Sequence, residues 1–207
     1  MVFLFQGKIK LIAILKSKRY LGDFLDPIEQ LLNEHVHIKS MLNVLTNLIE
    51  NNEEDLNKSL DNLKNILDFL SAYADKFHHG KEEEILFFEL NKLEFFQNHQ
   101  IINEIEDEHD QGRYLINEIK NILKPISIPL NEQTEDKLKE LIWDYIDLLT
   151  QHIEKEDKIL FPTIQGHLNT LLKEKITKKF LNVEESIGKN TIEKQLENLK
   201  NLTNLYK

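Results

Sequence analysis

The sequence contains no cysteine. That excludes a disulfide, a thiolate nucleophile, a zinc–thiolate site and a cysteine-held iron–sulfur cluster. It fits a reducing compartment, and a cytoplasmic location is expected. Six glycines and four prolines in 207 residues leave little material for tight turns. With abundant Leu, Ile, Asn, Lys and Glu, the composition predicts an all-α protein. The net charge is −10, so no basic field exists to draw phosphates and nucleic acid is not an expected partner. Long apolar runs are also missing. Near the N-terminus the run Leu11 to Leu15 is too short for a signal core, and nothing approaches a membrane span. Residues 1–26 are therefore read as an N-terminal extension, a short element packed on the body.

What is present is helical periodicity. Pro27 suits a first helical position, with Asp26 as its cap. Ile28, Leu31, Leu32, His35, Ile38, Leu42, Leu45 and Ile49 then share one face, predicting a helix over 27–50. After the break at Asn51-Asn52, an acidic first turn opens a second helix over 53–90. Its stripe runs Leu56, Leu60, Leu63, Leu67, Leu70, Ala74, Phe77 and Glu82. Gly80 inside it lowers local propensity by about 1 kcal/mol and either serves close packing or nothing. Residues 91–98 read as a loose connection. A third helix over 99–123 carries Ile102, Ile105, His109, Leu115, Ile116 and Ile119. Pro125 to Pro129 is extended. A fourth helix restarts at Asn131 with Leu138, Leu141, Ile142, Tyr145, Leu148, Leu149, His152 and Glu156, and should stop near Phe161-Pro162. Residues 27–165 thus predict an up-down-up-down four-helix bundle. Residues 166–207 form a C-terminal helical extension of two more amphipathic helices, divided at Gly188. It either folds back on the bundle or serves a homo-oligomer or protein partner.

The segment His78 to Phe87 recurs at His152 to Phe161, 74 residues on. The same offset carries Glu34-His35 onto Glu108-His109, Lys39 onto Arg113, Leu42 onto Ile116 and Asn43 onto Asn117. The bundle is therefore two duplicated helix pairs. His78 and Glu82 stand four residues apart on one helix face, as do His152 and Glu156. With His35 and His109, four imidazoles and two carboxylates fall on core-facing stripes. Burying such a cluster without partners is costly, so a metal site is expected over a hydrogen-bonded core network. Imidazole and carboxylate without sulfur suit non-haem iron, and two symmetric carboxylates can bridge two ions. Two His, two carboxylate oxygens and a bridging oxide or hydroxide give each ion five ligands, with one position open to a small molecule.

These residues resemble the hemerythrin-like, or HHE cation-binding, domain family. The resemblance rests on Glu34-His35, the His78-His79-Gly80-Lys81-Glu82-Glu83 run ending in Leu86-Phe87, Glu108-His109 through Arg113, and His152 through Phe161-Pro162. It implies two iron ions with His35, His78, His109 and His152 as terminal ligands and Glu82 and Glu156 as bridges. It also implies a small diatomic ligand, O2 or NO. Roles in the family include oxygen binding, oxygen or NO sensing, iron handling and repair of damaged iron centres; a diiron oxidase, peroxidase or NO-reductase-like activity is the enzymatic alternative. Oxygen carriers in the family have a fifth His one turn beyond that of the third helix. Arg113 stands there in this chain, which weighs against reversible oxygen storage.

Neighbouring residues carry further expectations. His79, about 100° from His78 on an α-helix, is a replacement fifth ligand, a group hydrogen-bonding behind the ligands, or a surface residue. Arg113 is placed behind the ligands. Glu83 and Asp157 are expected to pair with basic neighbours, Lys39 and Arg113 being the candidates, and Glu34 and Glu108 to be solvated rather than functional. His37 is read as a surface residue, Tyr73, Tyr114 and Tyr145 as packing residues, and His99 and His167 as incidental.

Overall fold

The computed structural model describes residues 25–51, 56–97, 100–124 and 130–206. The expectations for residues 1–24, Asn52 to Asp55, His99 and Pro125 to Pro129 lie outside the described residues. Helix α1 is Pro27–Asn51. Asp26 caps it as expected: its Oδ1 accepts from the Ile28 amide at 2.9 Å. Helix α2 spans 56–90 and changes pitch along its length. It opens as a 3₁₀ turn, is α-helical over Leu60–Phe69, and is π-helical over Leu70–His79 and Glu82–Phe87. Helix α3 is Gln100–Leu123, and α4 spans 132–165 with a π-helical stretch at Glu156–Leu160. Asn131 caps α4, accepting from the Thr134 amide at 2.9 Å.

The four helices pack in a ring, α1 on α2, α2 on α3, α3 on α4 and α4 on α1. The apolar stripes read from the sequence line this core. Every residue named for the stripes of α2 and α3 is buried, whereas Leu32 of α1 is 36% exposed. Among the described residues there is no strand, and no helix is long and apolar enough to cross a membrane.

Helix α4 does not stop at Phe161-Pro162; it continues through Phe161–Gln165. A proline inside a helix lacks one donor and crowds the carbonyl four residues back. The π-helical turns just before it shift the bonding register to five residues, which eases that conflict. The π stretches Glu82–Phe87 and Glu156–Leu160 begin at equivalent positions of the duplication. The repeat extends to backbone form at these two stretches only, since the π-helical Leu70–His79 has no counterpart in α4, which is α-helical over Glu132–Lys155.

Helices α5 (Thr170–Ile187) and α6 (Lys189–Leu205) fold back onto α1 and α2. Gly188, at φ 87°, occupies the left-handed region that favours glycine, and the chain turns there. Phe180, Leu199 and Leu202 bury their side chains. Gly80 is not a close-packing glycine; a Cβ there would meet only Val183 at 4.0 Å. Glu89, near the end of α2, is buried and receives Lys175 at 2.8 Å, Lys179 at 2.5 Å and Lys92 at 3.0 Å.

Burial opposes charge on Glu89, but the three lysines prevail and lower its pKa from 4.5 to about 2. A carboxylate with a depressed folded-state pKa stabilises the fold fully above its unfolded pKa. That contribution is lost as pH falls through the folded value. Glu89→Ala should therefore cost about 1–2 kcal/mol in thermal or urea melts at neutral pH. The gap from the parent protein should close as pH drops from 4.5 toward about 2.

Candidate metal centre

The six residues singled out by the duplication converge in the bundle core. His35, His78, His109 and His152 are each at most 2% exposed, and Glu82 and Glu156 are 0% exposed. Each carboxylate lies between histidines of different helix pairs. Glu82 Oε2 is 3.6 Å from His78 Nε2 and 3.5 Å from His109 Nε2. Glu156 Oε2 is 3.1 Å from His35 Nε2 and 3.3 Å from His152 Nε2. His35 and His78 bring their Nε2 atoms to 2.9 Å.

The outer nitrogen of every one of these imidazoles meets a carboxylate from a neighbouring helix. His78 Nδ1 pairs with Glu34 at 3.0 Å and His152 Nδ1 with Glu108 at 3.0 Å. His35 Nδ1 pairs with Asp157 at 2.7 Å and His109 Nδ1 with Glu83 at 2.6 Å. A cation holds each carboxylate in turn. Lys81 donates to Glu34, Lys155 to Glu108, Lys39 to Asp157 and Arg113 to Glu83. All four trios obey the 74-residue offset. An Nδ1–H given to a carboxylate leaves the Nε2 lone pair facing inward, where an ion can use it.

Glu34 and Glu108 are thus not merely solvated. Glu34 is 7% exposed and, like Glu108, is engaged by an imidazole and a lysine. The available signal was the pair of lysines at 81 and 155, three residues after each histidine and matched by the same offset. Arg113 points at Glu83, Asp75 and Asp110, not at the cluster. His37 is half-buried and bonds the Tyr73 hydroxyl at 2.7 Å, which departs from the surface reading. His167 stacks on Phe95 with centroids 3.9 Å apart.

Of the three readings of His79, the structure excludes the surface one. The residue is 6% exposed and lies inside the bundle, stacked on His109 at 3.8 Å between centroids and 14° between planes. A π-helix takes more residues per turn than an α-helix, so consecutive residues lie closer to one face. The π stretch Leu70–His79 thereby turns both His78 and His79 inward.

The electrostatics are those of a site built for positive charge. Burial and the neighbouring Glu156 push the Glu82 carboxyl well above its ordinary range. Burial also opposes charge on Glu156, but His152 and His35 outweigh it and hold that carboxyl low. Burial disfavours a charged His35, yet Asp157 and Glu156 raise it to about 9. Burial and the charge of His35 lower His78 to about 4. Both oxygens of Glu82 and of Glu156, with the Nε2 atoms of His109 and His152, have no hydrogen bond among the described residues. Orphaned polar atoms in a closed core are costly. Imidazole nitrogens and carboxylate oxygens converging without sulfur fit a transition-metal cation such as iron, manganese or zinc.

Two donor groups are close enough to hold an ion each: His35, His78, Glu82 and Glu156, and His79, His109 and His152, with donor atoms within 4.8 Å of one another. Beside the second group a cavity of about 300 Å³ runs between α2, α3 and α4. His79, His109, His152, Arg113, Lys120 and Tyr145 are among its walls.

Residues 26–164 match the family model described as hemerythrin HHE cation binding domain. No curated protein and no solved structure matches the chain.

Glu108→Ala, which removes an imidazole anchor without stranding a fully buried lysine, should weaken metal binding about 10–100-fold. A chelator-competition titration measures this, with the helical circular dichroism expected to be unchanged.

Proposed function

The chain belongs to the hemerythrin HHE cation-binding domain family, and on that premise we propose that it holds two iron ions and binds O2 or NO there. The observation that carries the reading is the placement of Glu82 and Glu156. Each lies between one histidine of the first helix pair and one of the second, with its oxygens otherwise unsatisfied. A carboxylate so placed can bridge two cations. His35 and His78 would serve one ion, and His109 and His152 the other.

Bound iron would supply an open coordination position and redox chemistry for a small diatomic ligand. The chain's own residues do the rest. Glu34, Glu83, Glu108 and Asp157 orient the imidazoles and hold Nδ1 as the donor, so Nε2 is the nitrogen on which a metal ion would take the place of a proton. The apolar core around them excludes bulk water. The cavity of about 300 Å³ gives a diatomic molecule a route to the cluster from the α2–α3–α4 side. Arg113 is held by Glu83, Asp75 and Asp110, so the fifth imidazole of the oxygen carriers has no counterpart at that position.

Anaerobic reconstitution with ferrous iron, followed by metal analysis and exposure to O2 or NO, tests the proposal. Two irons per chain are expected, with an optical change on adding either gas and no sustained turnover of NO or peroxide. A reconstituted protein without iron would sink the reading, and sustained turnover would make it an enzyme. His78→Ala should lower iron content and melting temperature together. Ligand linkage predicts about 2.7 kcal/mol of stabilisation at a hundredfold excess over Kd in the parent protein. Full iron retention by His78→Ala would contradict the assignment.

A further inference from the structure

We infer that His79 is itself a metal ligand, joining His109 and His152 on one ion and making the two ions of the centre unequal. The inference rests on the dimetal reading above and adds to it a donor on α2 that has no counterpart in the other half of the duplication.

Both ring nitrogens of His79 are buried and without a hydrogen bond among the described residues. The nearest carboxylate, Asp75, is 3.9 Å from Nδ1, beyond hydrogen-bond reach, and is engaged by Arg113 at 2.7 Å. An imidazole kept in a protein core with neither nitrogen satisfied is an expensive choice if packing is all it supplies. The repeat mate of His79 is Ile153, which is 2% exposed. An apolar side chain is thus sufficient at the equivalent position, so the histidine at 79 needs a reason beyond filling space.

Its surroundings provide that reason. The His79 ring stacks on His109 and meets the edge of His152 at 5.6 Å between centroids. One nitrogen from each of the three rings falls within 4.8 Å of the others, the spacing for a shared cation. The inner nitrogens of His109 and His152 are likewise unpartnered. Four of the five imidazoles in the cluster are oriented by a carboxylate on Nδ1. His79 alone is oriented by stacking, which leaves both of its nitrogens free to coordinate. The donor sets become three imidazoles on one side and two on the other, with Glu82 and Glu156 between them.

Cobalt(II) titration of the parent protein, His79→Leu and His79→Cys tests this, with circular dichroism as the check on folding. The parent should bind two cobalt ions. His79→Leu should keep one and bind the second at least about tenfold more weakly. His79→Cys should bind two and gain a sulfur-to-cobalt charge-transfer band, which a chain without any other cysteine cannot otherwise show. A folded His79→Leu with both parental affinities would overturn the inference and leave the dimetal reading standing. Should His79→Leu not fold, the cysteine variant decides: cobalt bound without the thiolate band overturns the inference. A parent protein that binds no cobalt overturns both readings together.

Discussion

Four hydrogen bonds from histidine to carboxylate hold this structure to one arrangement. Glu34 of α1 takes His78 of α2, and Glu83 of α2 takes His109 of α3. Glu108 of α3 takes His152 of α4, and Asp157 of α4 takes His35 of α1. The bonds close a ring around the bundle, so no helix can slide or rotate without breaking two of them. Leucine packing alone would tolerate such shifts, since hydrophobic burial is not directional. The polar ring costs desolvation and returns a defined register. Two further carboxylates, Glu82 and Glu156, can then be held at the axis, where burial without an ordered surround would be prohibitive.

The sequence made the helices and six of the converging donors legible because two independent patterns agreed. Apolar spacing marked the buried face of each helix, and the duplication marked which polar residues on that face belonged together. What it hid has identifiable causes. Glu34 and Glu108 look like ordinary surface carboxylates because each sits beside a histidine that carries the stripe. Their importance lies in lysines on another helix, a tertiary relation that helical spacing does not display. Under α-helical rotation His79 stays open between a ligand, a group behind the ligands and a surface residue. A π-helical stretch has no comparable spacing signature, and it changes where successive side chains point. The same widening lets α4 run on through Pro162, where a breaker was the natural reading.

Fold and chemistry are coupled through these wide turns. In both halves a π-helical stretch begins at the carboxylate that lies between imidazoles, Glu82 or Glu156. Regular α-helices would space side chains evenly along the core and give each helix one donor per turn. Locally widened turns crowd more donors into one level of the bundle, in keeping with the general association of such turns with functional sites. On α2 the crowding is greatest, and two adjacent histidines enter the cluster.

Helices α5 and α6 cover α1 and α2, and this has an effect on water. Lys81 is 1% exposed beneath them, while its repeat mate Lys155 is 28% exposed. The Glu34–Lys81 pair therefore works in a poorly screened interior, and the Glu108–Lys155 pair in contact with a mobile, high-dielectric medium. Lys81 also meets Glu184 of α5 at 3.3 Å, so the two anchors differ in partners as well as in screening. The covered half shields its anchor from water, and the uncovered half leaves its anchor open to it.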